Sequence, residues 1–379
     1  MSNRNKWIGA LLVIVLVGVV VAYANRQRRQ TTIKIGATNS LTGKYALRGE
    51  QTKHGMELAV AEINAAGGVN GTQLELITED NQGDPKGAVS GVNKLLETDR
   101  VDFILSAFTG VTNAIKDIVA KHGKVMIYAS TVSDIAKSNP YFFMDYYKAE
   151  DHGKAMASLV AKRGIQTVKY LSEVSDPCKK FGAAFATEAG TLGVKIAATE
   201  TYATTDTDMK TQLLKLKTGK KFNALVLCSW QHEQIIMPEL AQLNMLSIPT
   251  FHWLAPFLAA AQTPEMNQLF SQSKATTIWY GFSDGDASDT TQAKFIAAYQ
   301  AKYGARPIPD AAYSYDDIYL IAHAARDCPS LEVNCLRDSL LKADFVGAGG
   351  HVAFDADRIM QRDMVIMESV SGNWQTMAQ

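Results

Sequence analysis

TIKIGATNSLTGKYALRGEQTKHGMELAVAEINAAGGVNGTQLELI, residues 32–77, changes its hydrophobic period twice. Ile33-Lys34-Ile35-Gly36-Ala37 reads as a strand. Over 49–65 the apolar residues Met56, Ala59, Val60 and Ile63 recur every three or four positions, as the buried stripe of a helix does. Gly67-Gly68-Val69-Asn70-Gly71 then offers residues that tolerate positive backbone dihedrals, and Leu74-Glu75-Leu76-Ile77 begins a second strand. Strand, helix and strand in succession are the unit from which helix-covered parallel sheets are built.

The rhythm continues outward. Asp84-Pro85 opens a helix carrying Ala88, Val92, Leu95 and Leu96, because an N-cap acid followed by proline is a helix start. A strand over 101–105, a helix over 111–122 and a strand over 125–128 follow. A second set begins after Asp145-Tyr146-Tyr147, with helices over 150–163, 178–191, 209–217 and 233–242 alternating with strands over 167–171, 194–198 and 224–228 and an apolar stretch over 250–254. Each set predicts its own doubly wound, mostly parallel sheet, so the fold class is α/β. The helices over 290–303 and 311–326 could cover either sheet. Near the C-terminus, Val352-Ala353-Phe354 and Met364-Val365-Ile366-Met367 read as strands joined by a polar turn over 355–362, with a further hairpin turn over 370–374.

At 379 residues the chain exceeds what one hydrophobic core usually serves, which predicts two domains. Its 38 basic and 38 acidic residues cancel, and no long basic run lies beyond residue 30, so nucleic acid is not an expected partner. Arg4 and Lys6 precede an apolar run over 7–24, ending in Ala22-Tyr23-Ala24. That pattern predicts export, through either a cleaved signal peptide or an uncleaved membrane anchor over residues 1–30. Cys328 and Cys335 are close in sequence and in an oxidising compartment are expected to form a disulfide; Cys178 and Cys228 have no near neighbour.

Glycine-rich phosphate loops, His-Glu-x-x-His and the Gly-x-Ser-x-Gly elbow are absent. The histidines are scattered, and His152 and His232 read as exposed helix residues. Asp316-Asp317 lies in a strong helical pattern, where capping or lobe packing is expected. No nucleophile, base and orienter can be assembled, so enzymatic activity is not expected. Polar residues do recur between a strand and a helix, in Leu105-Ser106-Ala107-Phe108-Thr109-Gly110-Val111 and in Tyr128-Ala129-Ser130-Thr131-Val132. Both loops fall at the carboxyl edge of the first sheet, where open α/β sheets bind ligands. Helix N-termini there can hold a negative group without an arginine.

These segments, with Asp80-Asn81-Gln82-Gly83-Asp84-Pro85, Lys302-Tyr303-Gly304 and Tyr315-Asp316-Asp317, resemble the periplasmic solute-binding proteins of branched-chain amino acid ABC transporters, the type I periplasmic-binding fold. The resemblance implies two three-layer α/β/α lobes, residues 31–144 with 282–346 and residues 145–281 with 347–379. Three crossings are expected near 143–147, 278–282 and 347–350. It also implies an exported, monomeric receptor in the periplasm or at the outer face of the cytoplasmic membrane, without cofactor or metal. That receptor would close on a small-molecule ligand and be recognised by a membrane permease; a ligand-sensing receptor built on the same body is the alternative.

Carried over by position, Thr109 and Gly110 stand in the carboxylate-holding loop, Ser130 and Thr131 in the next, and Phe181 and Trp230 at the aromatic positions of the second lobe. An acidic residue that would pair a ligand ammonium is expected near Phe257, and Leu254-Ala255-Pro256-Phe257 has none. Asp145, Glu233 and Asp286 are the candidates to replace it. The preferred ligand is therefore expected to carry an acceptor group and not to need an amine.

Overall fold

In the computed structural model, which describes residues 32–230, 232–253, 263–282 and 290–377, the chain builds two sheets and one small hairpin. The proposed export segment lies outside the described residues. The first sheet comes from β1 (Thr32–Asn39), α1 (Ala46–Ala65), β2 (Gln73–Asp80), α2 (Pro85–Asn93), β3 (Phe103–Ala107), α3 (Thr109–Lys121), β4 (Val125–Ala129), α4 (Asp134–Ser138) and β5 (Phe142–Met144). Its order is β2-β1-β3-β4-β5, and every pairing is parallel. The second takes α5 (Ala149–Lys162), β6 (Thr167–Glu173), α6 (Asp176–Thr191), β7 (Lys195–Tyr202), α7 (Lys210–Lys217), β8 (Ala224–Cys228), α8 (Glu233–Gln242), β9 (Thr250–His252), α9 (Pro264–Gln272) and β10 (Thr276–Tyr280). Then follow α10 (Thr291–Tyr303), α11 (Pro309–Asp327), α12 (Val333–Leu340), β11 (Asp344–Gly347), β12 (Gly350–Ala353), β13 (Met364–Val370) and β14 (Asn373–Met377). The second sheet runs β14-β13-β10-β9-β8-β6-β7, with β13 and β14 as antiparallel additions to a parallel core.

Local sequence explains the helix starts. The Asp84 carboxylate accepts the Gly87 N–H and Ser175 Oγ accepts the Cys178 N–H, each ahead of a proline in the first turn. Strands β4 and β8 are buried almost throughout, because helices cover both faces of a parallel sheet. Periodicity left α11 without a partner; it packs on α1, where a Cβ on Gly55 would lie 2.1 Å from the Ala311 carbonyl oxygen. Only glycine allows that backbone approach.

Residues 350–353 correct one expectation. They do not form a hairpin with Met364-Val365-Ile366-Met367; β12 pairs with β11 and β13 pairs with β10 and β14. The cause is the tight turn at Ala348-Gly349, whose two N–H groups are held by Asp316 and whose next residue, Gly350, has φ +88°. Met144 bridges Ile359 in parallel, and its N–H donates to the Arg358 carbonyl, so the chain runs along the edge of the first sheet as far as residue 360. The Cys328–Cys335 disulfide is present as expected, and a second, Cys178–Cys228, joins the first turn of α6 to the end of β8.

Candidate functional site

Strands β3 and β4 are paired through Ala107 and Ala129, so their carboxyl ends release two loops side by side. In the first, Phe108 holds φ 67° and ψ 133°, a conformation that a residue with a side chain adopts only under constraint. Two contacts impose it: the Phe108 N–H donates to the Ala129 carbonyl at 2.9 Å, and its ring stacks on Tyr45 with centroids 4.1 Å apart. α3 then begins at Thr109 with no side-chain cap, leaving first-turn N–H donors at the sheet edge. The Thr109 and Ser130 hydroxyls hydrogen bond at 2.8 Å, and Ser130 Oγ accepts the Val132 N–H at 3.2 Å. Gly110 is exposed. Thr131 is buried, its carbonyl takes the Ala149 N–H, and its hydroxyl has no partner among the described residues.

Trp230 stands opposite, two residues past β8. Its N–H lies 3.4 Å from Glu173 Oε2 and its ring centroid 5.2 Å from that of Trp253. Between Trp230 and Phe108 lies Arg48, on α1, with its guanidinium carbon 5.4 Å from the Trp230 ring centroid, 5.1 Å from Phe108 and 5.8 Å from Tyr146. The first sheet's helix therefore reaches the second sheet's loop. Arg48 Nε donates to Asp310 Oδ1 at 2.8 Å, Nη2 forms an ion pair with the same oxygen, and Nη2 also donates to the Tyr146 hydroxyl. Burial opposes the charge on Arg48, but Asp310 outweighs it and holds the guanidinium above its usual pKa. A cavity of about 30 Å³, room for a water or two, is lined by this pair together with Asn39, Ser106, Asp145 and Asp317.

The expected site residues thus divide. Thr109 and Ser130 meet at the carboxyl edge of the first sheet, Trp230 follows β8 of the second, and Thr131 is buried beside Ser130. Phe181 has no exposed surface; its ring stacks 5.5 Å from Trp253 and 6.1 Å from Phe185 in the interior of the second unit. Phe257 and Asp286 lie outside the described residues. Glu233 is fully buried against Ser229 Oγ at 3.3 Å and His252 Nδ1 at 3.9 Å, which commits it inside the second unit. Asp145 lines the cavity.

His152 is a correction: it is wholly buried, because α5 packs so closely on α6 that a Cβ on Gly153 would lie 2.4 Å from the Phe181 carbonyl oxygen. Burial presses its pKa down to about 3, leaving a neutral ring with neither nitrogen bonded to a described residue. His232 also departs from expectation, lying 3.2 Å from Glu173 and mostly buried. Sequence reasoning missed Arg48 and Asp310. A pair 262 residues apart leaves no local signal.

Among known proteins, the periplasmic binding protein family model matches residues 32–373. The match spans most of the chain, and the chain belongs to this family. It is 30% identical over 205 residues to the leucine-, isoleucine-, valine-, threonine- and alanine-binding protein of Pseudomonas aeruginosa, covering 52% of this chain and 54% of that protein. The chain spans about half or less of the length of the curated relatives it matches. The branched-chain amino acid transporter substrate-binding protein LivJ of Streptococcus pneumoniae, solved with isoleucine, superposes with a TM-score of 0.80 at 27% identity, over 91% of this chain and 99% of that one. A solute-binding protein of an ABC transporter from R. palustris, solved with benzoate, gives 0.79 at 18% identity, over 92% and 96%. At that identity the likeness is one of fold.

Proposed function

We propose that this member of the periplasmic binding protein family is an extracytoplasmic receptor that closes on a small solute bearing a carboxylate or similar acceptor, and delivers it to an ABC transporter permease. The observation that carries the reading is the uncapped start of α3 beside the Thr109–Ser130 hydroxyl pair, with Trp230 joined to the preceding Phe108 through Arg48. Unpaired N–H donors at a helix N-terminus, joined by two hydroxyls, suit a negative oxygen. Arg48 is already matched by Asp310, so its part is to hold Phe108 and Trp230 together across the cleft. Isoleucine and benzoate, the molecules found on two neighbours, share a carboxylate and only one carries an amine.

We keep the lobe division that the resemblance implies except at the third crossing. Because the chain follows the first sheet to residue 360 and β13 begins at Met364, we place that crossing at 361–363 in preference to 347–350. Export to the periplasm, with residues 1–30 as signal or anchor, remains part of the proposal.

Trp230→Ala is expected to weaken binding of the copurifying solute by about thirtyfold or more, since a desolvated aromatic wall contributes at least about 2 kcal/mol. Thr109→Ala is expected to weaken it by about tenfold, the loss of one hydrogen bond to a charged oxygen. Calorimetric titration checks both. Unchanged affinity in either variant removes that residue from the site.

A further inference from the structure

One face of α11 touches all three crossings. Tyr313 donates its hydroxyl proton to the Tyr280 carbonyl, at the end of β10. Asp316 accepts from the Ala348 and Gly349 N–H groups at 2.7 and 2.8 Å and from Arg362 at 3.2 Å. Asp317 faces Asp145, the residue that follows β5. Both Asp145 and Asp317 are buried, both line the small cavity, and neither Oδ1 has a partner among the described residues.

The charges around them do not balance. The carboxyls are Asp145 on the first crossing and Asp310, Asp316 and Asp317 on α11; the cations are Arg48 on α1 and Arg362 on the third crossing. Tyr128 on β4, Tyr146, Tyr147 and Tyr313 are the phenols nearby, all held neutral by burial, which raises their pKa, and Arg358, which acts on Tyr128, is bonded to the Phe142 and Ala136 carbonyls. Arg48 is engaged by Asp310 and Arg362 by Asp316, although Arg362 Nε and Nη2 make no bond to a described residue. Four buried carboxylates against two guanidiniums leave two negative charges side by side, and two carboxylate oxygens cannot hydrogen bond to each other. One proton turns that repulsion into a bond.

We propose that Asp145 and Asp317 share one proton, and that this proton fastens the first crossing to α11, making the hinge between the lobes sensitive to pH. When the proton leaves to solvent, two carboxylates remain and the crossing is pushed from the helix. The inference rests on the two-lobe hinge reading above for its location, and not on the ligand.

The direction follows from the carboxyls. Burial, eased by Arg362 and by the bond to Asp317, raises Asp145 from 3.8 to about 6, and burial with Asp145 raises Asp317 well above its usual range. The native state then binds more protons than the unfolded chain. Stability from the pair is complete below about pH 4 and is lost in two steps as pH rises, the first through about 6 as Asp145 ionises and the second above that as Asp317 gives up the shared proton.

The test is infrared spectroscopy of the full-length protein across that range, with melting and small-angle scattering alongside. The protonated-carboxyl C=O band is expected in the native protein at about pH 7, where Asp145 has ionised and Asp317 keeps the shared proton, to disappear on raising the pH further, and to be absent at about pH 7 from Asp317→Asn. The melting temperature is expected to fall by about 3–6 °C more in the native sequence than in Asp317→Asn between about pH 6 and about pH 9. The ligand-free radius of gyration should rise only where the band is lost. Absence of the band, or an Asp317→Asn variant that keeps the native pH profile, overturns the shared proton; a constant radius while the band titrates overturns the hinge role. If Asp317→Asn does not fold, Asp145→Asn carries the same comparison. Failure of the carboxylate site would leave the band unchanged, so the two readings fail separately.

Discussion

Arg48→Leu is expected to lower the stability of the folded protein by about 3–5 kcal/mol, the cost of leaving a buried carboxylate without its cation. The side chains of Arg48 and Asp310 are only 9% and 8% exposed, so solvent cannot take over the lost charge. Leucine also withdraws the planar group that lies against Phe108, Tyr146 and Trp230. The double variant Arg48→Leu, Asp310→Asn is expected to lose less than Arg48→Leu alone, because no unpaired charge stays behind. Urea unfolding of the three proteins measures this. A single variant within about 1 kcal/mol of the native protein would mean that solvent reaches the pair and takes over its charge.

The second large effect concerns the cysteines. Replacing Cys178 and Cys228 by serine is expected to cost about 4 kcal/mol and replacing Cys328 and Cys335 about 2.5 kcal/mol, from the chain entropy released in the unfolded state. The difference comes from sequence separations of 50 and 7 residues. The longer bridge has a local consequence as well, since Cys228 ends β8 and lies two residues before Trp230. Loosening it should therefore weaken solute binding, while loss of the Cys328–Cys335 bridge, at the end of α11, should not. Parallel unfolding and calorimetry of the two serine pairs check the order. The reverse order would show that native-state strain outweighs loop length.

What could be read from sequence was what repeats or lies close along the chain. The alternation of period two with period near four gave both parallel sheets, since such patterns are set within about fifteen residues. Thr109 and Ser130 could be set side by side from sequence because a strand end followed by a helix start is itself a local pattern, and β3 and β4 are adjacent. Cys328–Cys335 was found for the same reason. Cys178–Cys228 was not, because it requires knowing that α6 begins beside the end of β8. Arg48–Asp310 and Asp145–Asp317 depend on α11 packing across α1 and the first crossing, a contact made possible by Gly55 and announced by no periodicity. The β12 pairing failed as an expectation because its turn is held from outside, by Asp316, thirty-odd residues earlier.

The central claim is that the cleft reads an acceptor group on the solute and does not need its amine. The most direct measurement releases and identifies the solute that copurifies, then titrates it calorimetrically beside leucine, the deaminated acid of the same skeleton and the corresponding amide. The account predicts a copurifying solute with a carboxylate or amide oxygen, and leucine and its deaminated acid within about tenfold of each other. Submicromolar binding of leucine, with the deaminated acid about a hundredfold weaker, would contradict it by showing that an acidic group in the cleft pairs the ammonium.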